Sequence, residues 1–128
     1  MDEKLRRIIE ESSFKQVPGR YYYVKARTRP NGSHFAVIED GNEVTVITDY
    51  VNELDVAGQN QTPYTLFALN ISVPFHAVGF LAAVSSAIAT KGMNILIVST
   101  YSKDYILVAF DKTEIARSVL VELGFKEL

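Results

Sequence analysis

From Thr65 to Leu128 the spacing of apolar residues switches repeatedly between the period of a strand and that of a helix, and this order leaves few folds open. Thr65 to Val73 alternates: Phe67, Leu69, Ile71 and Val73 point to one face, and Leu66, Ala68, Asn70 and Ser72 to the other. Pro74-Phe75-His76 ends that strand. Ala77–Lys91 carries helical spacing and closes before Gly92, where a left-handed residue usually caps a helix. Asn94–Tyr101 and Asp104–Phe110 read as strands joined at Ser102-Lys103. Asp111 with Glu114 forms a capping box for a last helix whose inner stripe is Ile115, Val119 and Leu123, and Gly124 stops it. Phe125–Leu128 has room for one edge strand. The order β-α-β-β-α-β predicts an α+β, ferredoxin-like unit over residues 63–128, with a four-stranded antiparallel sheet and two helices on one face.

The first half predicts a smaller α+β lobe over residues 1–62. Residues 2–13 are helical by the spacing of Leu5, Ile8 and Ile9, and Val17-Pro18-Gly19 breaks that helix. Tyr21–Arg27 is a strand. His34–Glu39 and Glu43–Thr48 form a hairpin around Asp40-Gly41-Asn42. Residues 50–58 are expected as a short helix, and Gln59–Pro63 as the junction. The Ala77–Lys91 helix has an unusual feature. Val78, Leu81, Ala82, Ser85 and Ile88 form the stripe expected to meet the sheet, and Phe80, Val84 and Ala87 form a second apolar stripe. A helix apolar on two sides is covered on two sides, by the first lobe or by a second subunit.

Composition narrows the function. The 128 residues contain no Cys and two His, so disulfides, thiolate metal sites, a Cys nucleophile and a His-rich metal centre are not expected, and no cofactor is. A net charge of −2 argues against nucleic-acid binding by phosphate neutralisation. The N-terminus has no apolar core of a secretory signal, and no apolar run is long enough for a membrane span; a cytoplasmic location is expected. No phosphate loop, dinucleotide turn, His–Glu metal motif or Ser nucleophile elbow is present, which argues against an enzyme. The strand Asp104–Phe110 lacks the basic and aromatic run with which RNA-binding sheets of the same topology stack bases.

Asn70-Ile71-Ser72-Val73-Pro74-Phe75-His76-Ala77-Val78-Gly79-Phe80-Leu81 resembles the first strand, loop and helix start of ACT domains. Lys91-Gly92-Met93-Asn94-Ile95 is similar to their turn into the second strand, and Ser99-Thr100-Tyr101 with Asp104-Tyr105-Ile106-Leu107-Val108 to the second hairpin of the aspartokinase-like branch. Pro18-Gly19-Arg20-Tyr21 is similar to the opening of small stand-alone proteins with tandem ACT-like lobes. The resemblance implies a non-catalytic regulatory module, a homodimer, that binds a small molecule, an amino acid or other carboxylate, at a lobe or subunit interface. The alternative is an assembly protein without a small ligand. Many ACT loops carry an Asp before the helix; here the loop has no acid, so a ligand ammonium needs its counter-charge from elsewhere.

The expected site is Phe75, His76, Ala77, Val78 and Gly79, with Asn94 close by. Backbone N–H groups of a helix start lack internal partners, and with the helix dipole they favour an anion. Gly79 offers close backbone approach, and Asn94 a hydrogen bond. His76 has no Ser–Asp constellation near it in sequence and is read as a loop residue rather than a catalytic base.

Overall fold

The computed structural model describes residues 1–128. The chain order is α1 (Glu3–Glu10), β1 (Ser13–Ala26), β2 (Ala36–Glu39), β3 (Val44–Thr48), β4 (Val56–Gln59), β5 (Tyr64–Asn70), α2 (Phe80–Thr90), β6 (Leu96–Ser99), β7 (Asp104–Ala109), α3 (Thr113–Leu123) and β8 (Lys126–Glu127). Where the sequence suggests a boundary near residue 62, packing groups Met1–Pro18 with Thr65–Leu128 and leaves Gly19–Tyr64 as a second unit. The difference arises at β1, whose first residues belong to one unit and whose last residues belong to the other.

In the larger unit β5-α2-β6-β7-α3-β8 has the ferredoxin-like α+β order. Strand β5 has β1 on one side and β7 on the other. Its run Thr65–Leu69 is buried on both faces, as suits an interior strand. On one face Phe67, Leu69 and Ile71, with Ile106 and Val108 of β7, share a core with Phe80, Val84 and Ile88 of α2 and Ala116, Val119 and Leu120 of α3. Val73, expected in this row, is exposed because the strand ends at Asn70.

The helix stripes change places. Phe80 and Val84, assigned to the second stripe, are the residues that α2 buries with Ile88, while Val78 and Leu81 are exposed. Gly79, whose φ of 86° is left-handed, is the N-cap, so the helix starts at Phe80 and Ala77 and Val78 lie in the preceding loop. In α3 the inner residues are Ala116, Val119 and Leu120, and Ile115 is exposed. Asp111 lies in a 3-10 turn (Phe110–Lys112), the Thr113 hydroxyl donates to the Phe110 carbonyl (2.6 Å), and Glu114 pairs with Arg117 rather than capping.

The N-terminal segment supplies what the sequence leaves unplaced. Helix α1, capped by the Asp2 carboxylate on the Leu5 N–H (2.8 Å), is too short to persist alone; Leu5 and Ile9 tie it into the same core as Phe80 and Val84. The chain is already extended at Ser13, well before Tyr21. Phe14 is fully buried and packs edge-to-face on Phe67 at 5.9 Å. The sheet is therefore not the expected four antiparallel strands: β8 pairs in parallel with β1, Ser13 opposite Lys126 and Phe14 opposite Glu127. Arg117 of α3 holds this joint, pairing with Glu127 of β8 (2.6 Å) and donating to Gln16 of β1. Pro18-Gly19 breaks no strand, because Pro18 is exposed and Gly19 takes φ 103°, the irregularity at which a strand tolerates proline.

In the smaller unit β1 pairs β3, β3 pairs β2, and β4 pairs β1, all antiparallel. Val24, Ala26 and Val46 form its core, flanked by Val51, Leu54 and Val56. Residues 50–58 do not form the expected helix. Beyond one turn at Leu54, Arg27 binds the Asp55 carboxylate (2.9 Å) and the Val56 carbonyl (2.7 Å), and Val56–Gln59 becomes strand. His34, given no role by the sequence, contacts the Thr48 hydroxyl (2.9 Å) and the Asn31 carbonyl (3.2 Å).

The β2–β3 turn rests on Asp40, whose Oδ1 accepts from the Asn42 and Glu43 N–H groups, both at 2.9 Å. These backbone donors hold its pKa below the ordinary carboxylate value. A depressed folded-state pKa gives stability that is present above the unfolded pKa and lost as pH falls through the folded one. Asp40→Ala is therefore expected to lower the melting temperature at pH about 7, and the gap should narrow in acid, once the pH falls below the ordinary carboxylate pKa. Paired melts at neutral and acid pH check this; a gap independent of pH would refute it.

Candidate functional site

A cavity of about 290 Å³ opens in the larger unit. Its walls are the loop from Val73 to Val78, the first turn of α2 and the β6–β7 hairpin from Ser99 to Asp104. Topology brings these together: β5 runs toward this end, α2 away, β6 back toward it, so the β6–β7 turn meets the β5–α2 loop.

The loop is built from successive short turns. The His76 N–H donates to the Val73 carbonyl (3.2 Å), Val78 to His76 (3.1 Å) and Phe80 to Ala77 (3.2 Å). Phe75 takes φ 69°, the one non-glycine residue in the left-handed region. Its ring is 73% exposed and meets Tyr101, 84% exposed, edge-to-face at 5.3 Å. Gly79 caps α2 with no side-chain cap, and no acid stands in the first turn, so the first N–H groups of α2 have no carboxylate of their own. A Cβ at Gly79 would meet Leu5 Cδ2 at 3.5 Å, an ordinary contact; glycine is needed there for its positive φ.

Of the residues expected at the site, Phe75, Ala77 and Val78 line the cavity. His76 and Gly79 belong to the same loop but are not among the lining residues, and His76 is exposed. Asn94 is exposed beyond the other end of α2, whose eleven residues span about 16 Å. The hairpin wall, Ser99 to Asp104, lies outside the site expected from the sequence. Its polar run was visible, and so was the β-α-β-β order that returns it to this end. Lys103 and Asp104 are the charged residues of the lining. The Ser99 hydroxyl donates to Asp104 Oδ1 at 2.5 Å, and the turn closes through the Thr100 N–H on the Lys103 carbonyl (2.8 Å). No group of His, Asp and Glu is placed to hold a metal ion, and no helix is long and apolar enough to cross a membrane.

Residues 61–122 match the sequence profile of the ACT domain. No curated protein matches the chain. Among solved structures, a Vibrio cholerae protein of unknown function, described as a possible transport protein, superposes with a TM-score of 0.77 at 20% identity, covering 95% of this chain and 97% of that one. The aspartokinase alpha and beta subunits superpose with a TM-score of 0.60 at 14% identity, covering 88% and 95%. A C-terminal regulatory domain assigned to aspartate kinase from Porphyromonas gingivalis gives 0.55 at 13%, covering 90% and 96%. At these identities the likeness is one of fold.

Proposed function

We propose that the protein is a non-catalytic regulatory module that binds a free amino acid in the cavity beside α2, a reading that starts from the match of residues 61–122 to the ACT-domain profile. The observation that carries this reading is the pairing of that cavity with an uncapped helix start. The Phe80 N–H is taken by the Ala77 carbonyl, and the rest of the first turn of α2, Leu81 and Ala82, lends free N–H groups and the positive end of the helix dipole, which suit a ligand carboxylate. The loop Phe75–Gly79 sets the helix start and so acts on the site even through the residues that do not line it; Asn94 has no part in it. The match to the ACT-domain profile supports a regulatory role in place of chemistry.

The working unit in this reading is a homodimer. Phe75, Val78 and Tyr101 are more than 70% exposed around the cavity mouth, an apolar surface that a second copy would cover. A ligand seated there shifts the dimer equilibrium by its difference in affinity for the two states. The same exposed surface favours a second reading, an assembly protein without a small ligand.

A thermal-shift screen of the free amino acids, nucleotides and common anions separates the two. A ligand at about 100 times its Kd adds roughly 2.7 kcal/mol. An amino acid is expected to raise the melting temperature and change the mass in solution. Dimerisation with no stabilising small molecule would favour the assembly reading.

A further inference from the structure

We propose that Asp104, held by Ser99, receives the ammonium group of the ligand, and that the side chain of this ligand is apolar and lies against Phe75 and Tyr101. The inference rests on the amino-acid reading above and names the subclass that the cavity selects.

The two walls differ in chemistry. The loop and helix wall contributes only apolar side chains, among them Phe75, Val78 and Leu81. The hairpin wall is polar, with Tyr101 as the residue that offers both a ring and a hydroxyl. At about 290 Å³ the cavity sits at the low end of small-molecule sites, room for one metabolite and not for a peptide. Asp104 is the lone carboxylate in the lining. Its place in β7, two residues before Ile106 and four before Val108, puts it on the face that packs under α2. It is half-buried, Oδ1 is fixed by the Ser99 hydroxyl, and it makes no ion pair within the chain. A carboxylate in that position, against apolar surface and with one oxygen already oriented, is suited to a charge-assisted bond from a cation. A single carboxylate among neutral hydroxyls is a poor site for a divalent metal, which needs more charged oxygen ligands, and a good one for a single ammonium.

The same walls select the side chain. Lys103 at the rim disfavours a cationic side chain, and with Asp104 occupied by the ammonium the apolar loop and helix wall disfavours burying a charged side chain of either sign. A branched aliphatic or aromatic group instead covers rings now exposed to water.

Calorimetry on the full chain tests this with L-leucine and L-phenylalanine, their deaminated counterparts 4-methylpentanoate and 3-phenylpropanoate, and L-lysine and L-glutamate. The parent should bind each apolar amino acid about 30-fold tighter than its deaminated counterpart, the worth of a hydrogen bond between charged groups. Asp104→Asn keeps an oxygen for Ser99 and should bring the two affinities together. Equal binding of the deaminated compounds by the parent, or full preference for the amine in the Asn variant, overturns the role of Asp104 and leaves the amino-acid reading standing. Tighter binding of lysine or glutamate overturns the apolar selection. If the parent binds none of the six probes, the cavity is not the site and both readings fall.

Discussion

Phe14→Ala is expected to cost about 3–5 kcal/mol, the range for removing a fully buried phenylalanine. For a chain of this length that is a fall of about 10–20 °C in melting temperature. Phe14 is 0% exposed, packs on Phe67, and stands on the strand opposite Glu127 of β8. Its loss would open a cavity in the core and loosen the parallel joint together. Urea melts against Val37→Ala, on the exposed strand β2, give the scale; a Phe14→Ala cost below about 1 kcal/mol would mean that the segment before Pro18 is not part of the core.

Val84→Asp is expected to cost about 4 kcal/mol or more, because α2 buries Val84 completely among Leu5, Ile9 and the sheet, with no cation to meet the charge. Against a total stability of about 5–15 kcal/mol such a loss leaves much of the chain unfolded. Ala82→Asp is the control. Periodicity places Ala82 on the sheet-facing stripe, whereas the structure exposes it, so the cost should stay within about 0.5 kcal/mol. Circular dichroism melts of both variants decide the matter: similar losses would mean that the helix is rotated from its described orientation.

Those two variants mark what was legible in the sequence and what was not. The β-α-β-β-α-β order, the turn at Gly92 and the stop at Gly124 are local signals, written in period and in glycine, and the structure repeats them. The rotation of α2 was hidden because Phe80–Thr90, with apolar residues on more than one side, gives two stripes of similar strength, and only the φ of Gly79 fixes where the helix starts. The place of β1 was hidden for another reason. Residues 2–13 read as a helix broken at Val17-Pro18-Gly19, and the partners of Ser13 and Phe14 lie at the far end of the chain. At the cavity, the loop wall was found from its sequence pattern. The hairpin wall required following the direction of each element, which also sends Asn94 to the opposite end.

The parallel pairing of Ser13 with Lys126 sets an order on synthesis. Residues 19–64 have their strand partners within a few dozen positions and can assemble as soon as they leave the ribosome. The segment before them cannot. Gln16 meets Arg117 101 positions later, and Phe14 meets Glu127 later still. Until then Leu5, Ile9 and Phe14 have no finished core to enter. These three side chains, made long before their partners, are thus among the last to be buried, and the closure of so long a loop comes before its contacts can repay it. During that interval an apolar strand edge waits unpaired, the kind of exposed edge on which nascent chains stick to one another and which chaperones shield.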